Sequence, residues 1–244
     1  SDSNAQLSWL KNDLASTDKD WKFVFMHKSP YTLGKDGKWP DALYLQQSLS
    51  KVLDEGSADI VFSGHDHMYL RTKALKNNKA AESGTTYVLS GTAGSKRYQI
   101  RPFLAGYFLD TANIGALTVQ KDGYANYWNG TDWKSTKETN VGGCFSNITV
   151  DGGTLTLDAY ILADEKDEDG KDVVTKIDSL TLKKETGKNI PTYTGSNKTD
   201  TLDYALGVVP SFLSLAKYAF FTWLPTFLRL IPELIKAYKA DGTF

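Results

Sequence analysis

Three histidines carry the chemistry this sequence can do, and all fall early: His27, His65 and His67, with none after them in the 244 residues. Imidazole is the commonest protein ligand for zinc, iron and related ions, and it binds as the neutral ring. The run Gly64-His65-Asp66-His67 is the denser signal. It is expected to send His65 and His67 in different directions, so that each serves a different metal of a close pair. Gly64 is expected to supply the sharp turn out of the preceding strand. Asp66 is a candidate acceptor for the N–H of a ligating imidazole, which would fix its tautomer, or else a solvated loop carboxylate.

Two strands and a helix must position these residues. Residues 6–16 (QLSWLKNDLAS) place Leu7, Leu10 and Leu14 at helical spacing. Residues 21–26 read as a buried strand that ends at His27, and a turn-rich loop follows through Pro30, Tyr31 and Gly34. From Pro40 to about Leu53, Leu45, Leu49, Val52 and Leu53 predict a second amphipathic helix closed by Gly56. Residues 59–63 are another short apolar strand, running into Gly64. Strand, helix, strand over this length is a βαβ unit, so the two strands are expected to be parallel neighbours. Their carboxyl ends, where α/β sheets place their sites, then bring His27 and His65 together.

Beyond residue 67 the texture is that of antiparallel strands: 85–90, 114–119, 123–128, 145–150, 154–160 and 173–182, with a tight turn at Asp151-Gly152-Gly153. Three parts are expected: 1–183 as the main domain, 184–201 as a linker, and 202–244 as an apolar helical extension. Pro210, Pro225 and Pro232 cut that extension into pieces too short to span a bilayer, suited to packing, to a partner or to a membrane interface.

Composition closes several routes. With 28 basic and 29 acidic residues the net charge is −1, which argues against nucleic-acid binding by phosphate neutralisation. Cys144, the single cysteine, excludes an internal disulfide framework and any cysteine-rich zinc module. A hydrophobic fraction of 41% and a charged fraction of 23% are those of a globular protein.

VFMHKSPYT (24–32) and VFSGHDHMYLRT (61–72) resemble the last two motifs of the calcineurin-like metallophosphoesterases, most closely the purple acid phosphatase branch. There the strand-end His is followed by Pro and Tyr, as in Pro30 and Tyr31, and G-H-x-H by an aromatic and an Arg, as in Tyr69 and Arg71. The opening helix and GTAGSKRY (91–98) also resemble flanking stretches, and the likeness covers roughly residues 5–165. It implies the C-terminal portion of an α/β, metallophosphoesterase-type layered β-sandwich with flanking helices. It further implies two divalent or trivalent ions (Fe, Zn or Mn), with His27 and His65 on one and His67 on the other. The reaction would be hydrolysis of a small phosphate ester, in an extracellular or cell-surface setting.

The family's upstream motifs, a G-D, a G-D-x-x-D/Y with the bridging Asp, and a G-N-H-E, do not occur in residues 1–244. They are expected to lie before Ser1, leaving the metal shell here without its anionic half and this chain with little or no activity. The alternative is a non-catalytic binding or surface module that retains the fold. Arg71 has two readings, a residue beside the metals that faces phosphate or a structural arginine.

Weaker signals are read structurally. The acidic run 164–170 fails as a calcium loop, because a register from Glu165 puts Lys176 where a Glu must close the site. Trp39, Tyr107, Phe108, Tyr127, Trp128 and Trp133 line a groove or pack sheets, and Cys144 reads as a buried small hydrophobe.

Overall fold

A computed structural model describes residues 3–34, 41–94, 111–121, 124–128, 133–137, 143–185 and 192–194. Every described element lies within one compact unit, Ser1–Leu206. The extension 202–244, most of the segment read as a linker, and Trp39, Tyr107 and Phe108 lie outside the described residues.

The expected βαβ unit is present. Helix α1 (Ser3–Ser16) leads into β1 (Phe23–Lys28), then α2 (Asp41–Glu55) and β2 (Ile60–Gly64). β1 and β2 pair in parallel, from Phe23 opposite Ile60 to Met26 opposite Ser63. Leu14, Leu49 and Leu53 bury the inner faces of the two helices, which pack together.

Next come β3 (Tyr69–Lys76), β4 (Lys79–Ala80), β5 (Thr85–Ser90), β6 (Ile114–Lys121), β7 (Tyr124–Trp128) and β8 (Trp133–Lys137). With β1 and β2 they make an eight-stranded mixed sheet in the order β1-β2-β5-β3-β6-β7-β8, with β4 beside β3. A second, antiparallel sheet is built from β9 (Cys144–Asp151), β10 (Thr154–Lys166), β11 (Asp172–Lys183) and β12 (Thr192–Thr194), ordered β12-β11-β10-β9. β12 pairs with the end of β11 and lies inside the stretch that reads as linker in the sequence.

The two sheets share a core, so the layered sandwich is observed. Leu155, Leu157, Ala159 and Ile161 fall on one face of β10, as period-2 alternation requires. With Ile177, Leu180 and Leu182 of β11 they pack on Ile60, Phe62, Tyr69, Val88 and Ala116 of the first sheet. Val61, Leu70 and Leu89 are fully buried outside that cluster, so the first sheet is covered on both faces there. β1 is different. Its sequence, FVFM, is the continuous apolar run of a strand buried on both faces. It nevertheless forms the sheet edge, and Phe25 is 75% exposed.

The acidic hairpin turns through Asp167–Gly170, where the Asp167 carboxylate accepts from the backbone N–H groups of Asp169 and Lys171. It is a capped turn carried between two paired strands.

Candidate metal centre

His27 and His65 stand at the carboxyl ends of the adjacent parallel strands β1 and β2. The register jumps from Met26 opposite Ser63 to Lys28 opposite Gly64, which leaves His27 as the extra residue of a bulge. A bulge re-aims the side chain it carries. Just past β2 the chain turns at His65, whose φ is 70°. This corrects the expectation for Gly64: the left-handed residue of the loop is His65, an uncommon conformation for a residue with a Cβ. These two local distortions bring the rings edge to face at 4.9 Å, with Nε2 of His27 and Nδ1 of His65 2.9 Å apart.

That separation suits an ion. Two cis ligand nitrogens, each about 2.1 Å from one metal, lie roughly 3 Å apart. Without an ion the same approach is a hydrogen bond between the two rings, one nitrogen donating and the other accepting according to the tautomer. Among the described residues, however, no three His, Cys, Asp or Glu side chains converge. His67 therefore does not join the other two around one point. The spacing alone does not explain this, because residues two apart in a regular extended run share a face. The left-handed turn at His65 breaks that regularity.

Asp66 points inward and is only 2% exposed, so it is no solvated loop carboxylate. Its Oδ2 accepts a 2.5 Å hydrogen bond from Oγ1 of Thr32, in the loop that follows β1. That loop is itself buried from Ser29 to Gly34. Tyr31 lies edge-on to Tyr87 at 4.5 Å, and its hydroxyl is bonded to the Asn78 side chain. Burial first, and the Asp54 charge second, push the Tyr31 phenol well above its ordinary range, which keeps it a neutral donor. Gln46 of α2 donates to the Pro30 carbonyl at 2.7 Å.

Arg71 is buried and paired within the fold, as its structural reading requires. It is 2% exposed, and its Nε and Nη2 donate to Oδ2 and Oδ1 of Asp178 at 2.5 and 2.9 Å. Tyr69, two residues earlier and so on the same face of β3, donates to the same carboxylate at 2.6 Å. Burial above all, then the Asp178 charge, hold the Tyr69 hydroxyl far above its usual range. The aromatic and the arginine after G-H-D-H thus share one anchor in the second sheet. Asp178 and Thr32 are the residues that reading the sequence missed. Asp178 has one signal, a lone acid amid the apolar alternation of 173–182, whereas Thr32 has none.

Residues 1–69 match the family model of the calcineurin-like phosphoesterases, a span that contains His27, His65 and His67. The class is thus met in the segment that builds the site. Within it the chain resembles the purple acid phosphatases. Purple acid phosphatase 22 of Arabidopsis thaliana is 31% identical over 94 residues, covering 37% of this chain and 21% of that protein. Purple acid phosphatase 18 of the same plant is 30% identical over 101 residues, or 40% of this chain and 23% of that protein. The chain therefore spans about a fifth of the length of the curated relatives it matches. Among solved structures, a purple acid phosphatase from yellow lupin (Lupinus luteus) seeds aligns with a TM-score of 0.43 at 18% identity, covering 74% of this chain and 28% of that one.

Proposed function

We propose that these residues are part of a dinuclear metal-dependent phosphoesterase. In this reading His27 and His65 hold one ion and His67 contributes to the second. The observation that carries it is the 2.9 Å approach of two imidazole nitrogens at adjacent strand ends. Ions of the Fe, Zn or Mn kind, when bound, supply Lewis-acid polarisation of a phosphate ester and a nucleophile at neutral pH. The chain's own part is to hold two imidazoles at a fixed spacing, one at the end of β1 and one just past β2.

Two imidazoles make a labile site, since structural and catalytic zinc alike use three or four protein ligands. The acidic and amide ligands are supplied, in this reading, by polypeptide outside residues 1–244. The exposed, apolar edge strand β1 supports that view. Beside it an open groove of about 510 Å³, lined by Phe25, Met26, Phe62, Cys144, Phe145 and Ile148, runs across to β9. The 244 residues alone then have little or no activity. For location, the resemblance points outside the cell or to its surface.

The second reading is a non-catalytic module on the same fold, favoured by the absence of a three-ligand cluster among the described residues. Metal analysis, with hydrolysis of p-nitrophenyl phosphate and of bis(p-nitrophenyl) phosphate, separates the two. A longer polypeptide that includes this chain is expected to carry two ions and turn over. No metal and no turnover there would leave only the module. Robust turnover by the 244 residues alone would overturn the external supply of ligands.

A further inference from the structure

We propose that Thr32 is a positioning residue for the metal centre, and that it acts by tying the His27 loop to the His65 loop through Asp66. The inference rests on the metal-binding reading above, but it concerns residues that do not themselves touch the ion.

The geometry is a closed circuit. From His27 the chain runs five residues to Thr32. The Thr32 hydroxyl donates to Asp66 at 2.5 Å, Asp66 is the immediate neighbour of His65, and His65 returns to His27 at 2.9 Å. Thr32 and Asp66 are 3% and 2% exposed, so water does not compete for the link. Both ends are braced. Thr32 Oγ1 also accepts the Gly34 N–H at 3.0 Å, which fixes its rotamer. The Asp66 backbone is held by bonds from its N–H to the Gly64 carbonyl and to its own carbonyl from the Met68 N–H, at 2.9 and 3.0 Å. Gly34 closes the pocket from the other side: a Cβ there would stand 2.3 Å from the Asp66 carboxyl carbon. The carboxylate has one place to be.

One imidazole sits on a bulge of β1 and the other is carried by a left-handed residue just past β2, and the pairing of Met26 with Ser63 and Lys28 with Gly64 holds the two strand ends side by side. The buried hydrogen bond adds a second tie beyond the strands, between the loop after β1 and the residue next to His65. Partners bonded directly to a metal ligand typically change affinity by about 10–100-fold when removed, and Thr32, one residue further out, is expected to act at the lower end of that range.

The test uses Thr32→Val, which keeps the shape and removes the hydroxyl, with Thr32→Ser as the rescue. Thr85→Val is the control. It deletes another buried hydroxyl, which donates to the Ala58 carbonyl at 2.8 Å well away in sequence from either histidine loop. Two readouts are taken on the 244-residue chain: the ring-to-ring NOE between His27 and His65 without metal, and Zn²⁺ affinity by calorimetry. Thr32→Val is expected to lose the NOE and at least about tenfold in affinity, with Thr32→Ser and Thr85→Val close to the parent. A retained NOE in Thr32→Val overturns the proposal whatever the metal does. Equal losses in Thr85→Val also overturn it, since any loss of stability would then suffice. If the NOE is lost in Thr32→Val but the parent chain binds no Zn²⁺, the tie stands, and the metal reading falls only if a longer polypeptide that includes this chain also binds no metal.

Discussion

Both oxygens of the Asp178 carboxylate accept from the Arg71 guanidinium, at 2.5 and 2.9 Å, with neither side chain more than 2% exposed. The pair crosses from β3 in the first sheet to β11 in the second. It fastens the strand that leaves the G-H-D-H loop to the layer behind it.

Breaking one partner leaves an uncompensated buried charge, which costs about 3–5 kcal/mol. Arg71→Met and Asp178→Leu are therefore each expected to lower stability in urea unfolding by that order. The double replacement should recover much of the loss. Zn²⁺ affinity of the Arg71→Met chain, measured under conditions where it stays folded, is expected to match the parent. A clear fall in affinity without any change in stability would place Arg71 at the site instead.

A second buried ion pair gives a pH signature. Lys184 contacts Asp59 at 2.9 Å at the opposite end of β2 and lies 4.7 Å over the Trp21 ring. Burial is the largest influence on Asp59 and raises its carboxyl above the ordinary 3.8, only partly offset by Lys184 and by the backbone and charge of Lys22. A carboxyl raised in the folded state contributes stability that is full below the unfolded value and is lost as pH rises through the folded value. Lys184→Met should raise the group further. Its cost, about 3 kcal/mol at pH 7, is expected to shrink as pH falls toward the unfolded carboxyl value, where Asp59 is neutral. Urea midpoints at a series of pH values check this, and a pH-independent difference would contradict it.

The β1 edge should govern the solution behaviour of the isolated chain. Phe25 is 75% exposed on an apolar strand at the edge of the sheet among the described residues, and stacks on Phe62 at a centroid distance of 5.3 Å. Phe25→Glu is expected to suppress concentration-dependent association in sedimentation, at a stability cost of about 1 kcal/mol. Identical sedimentation of the two chains would show that this edge is not the contact.

The βαβ unit was legible because its signals are local. Leucine spacing marks both helices, and the runs WKFVFM and DIVFS mark strands that lead straight into the histidines. β3 was not legible, although Tyr69–Lys76 occupies the middle of the sheet. Its alternate positions Arg71 and Lys73 are charged yet buried, and the partner that makes Arg71 tolerable lies 107 residues away. Spacing singles out the histidines as candidate ligands. It did not show the bulge at His27, the left-handed turn at His65 or the Thr32–Asp66 link, all of which depend on pairing between distant segments.

Zn²⁺ titration of the chain and of its single histidine variants, followed by calorimetry, tests the central claim most directly. His27→Ala and His65→Ala are each expected to reduce affinity at least about tenfold, because in the proposed centre both rings hold one ion. His67→Ala should leave that ion in place. Parent-like binding by either His27→Ala or His65→Ala would contradict a shared metal.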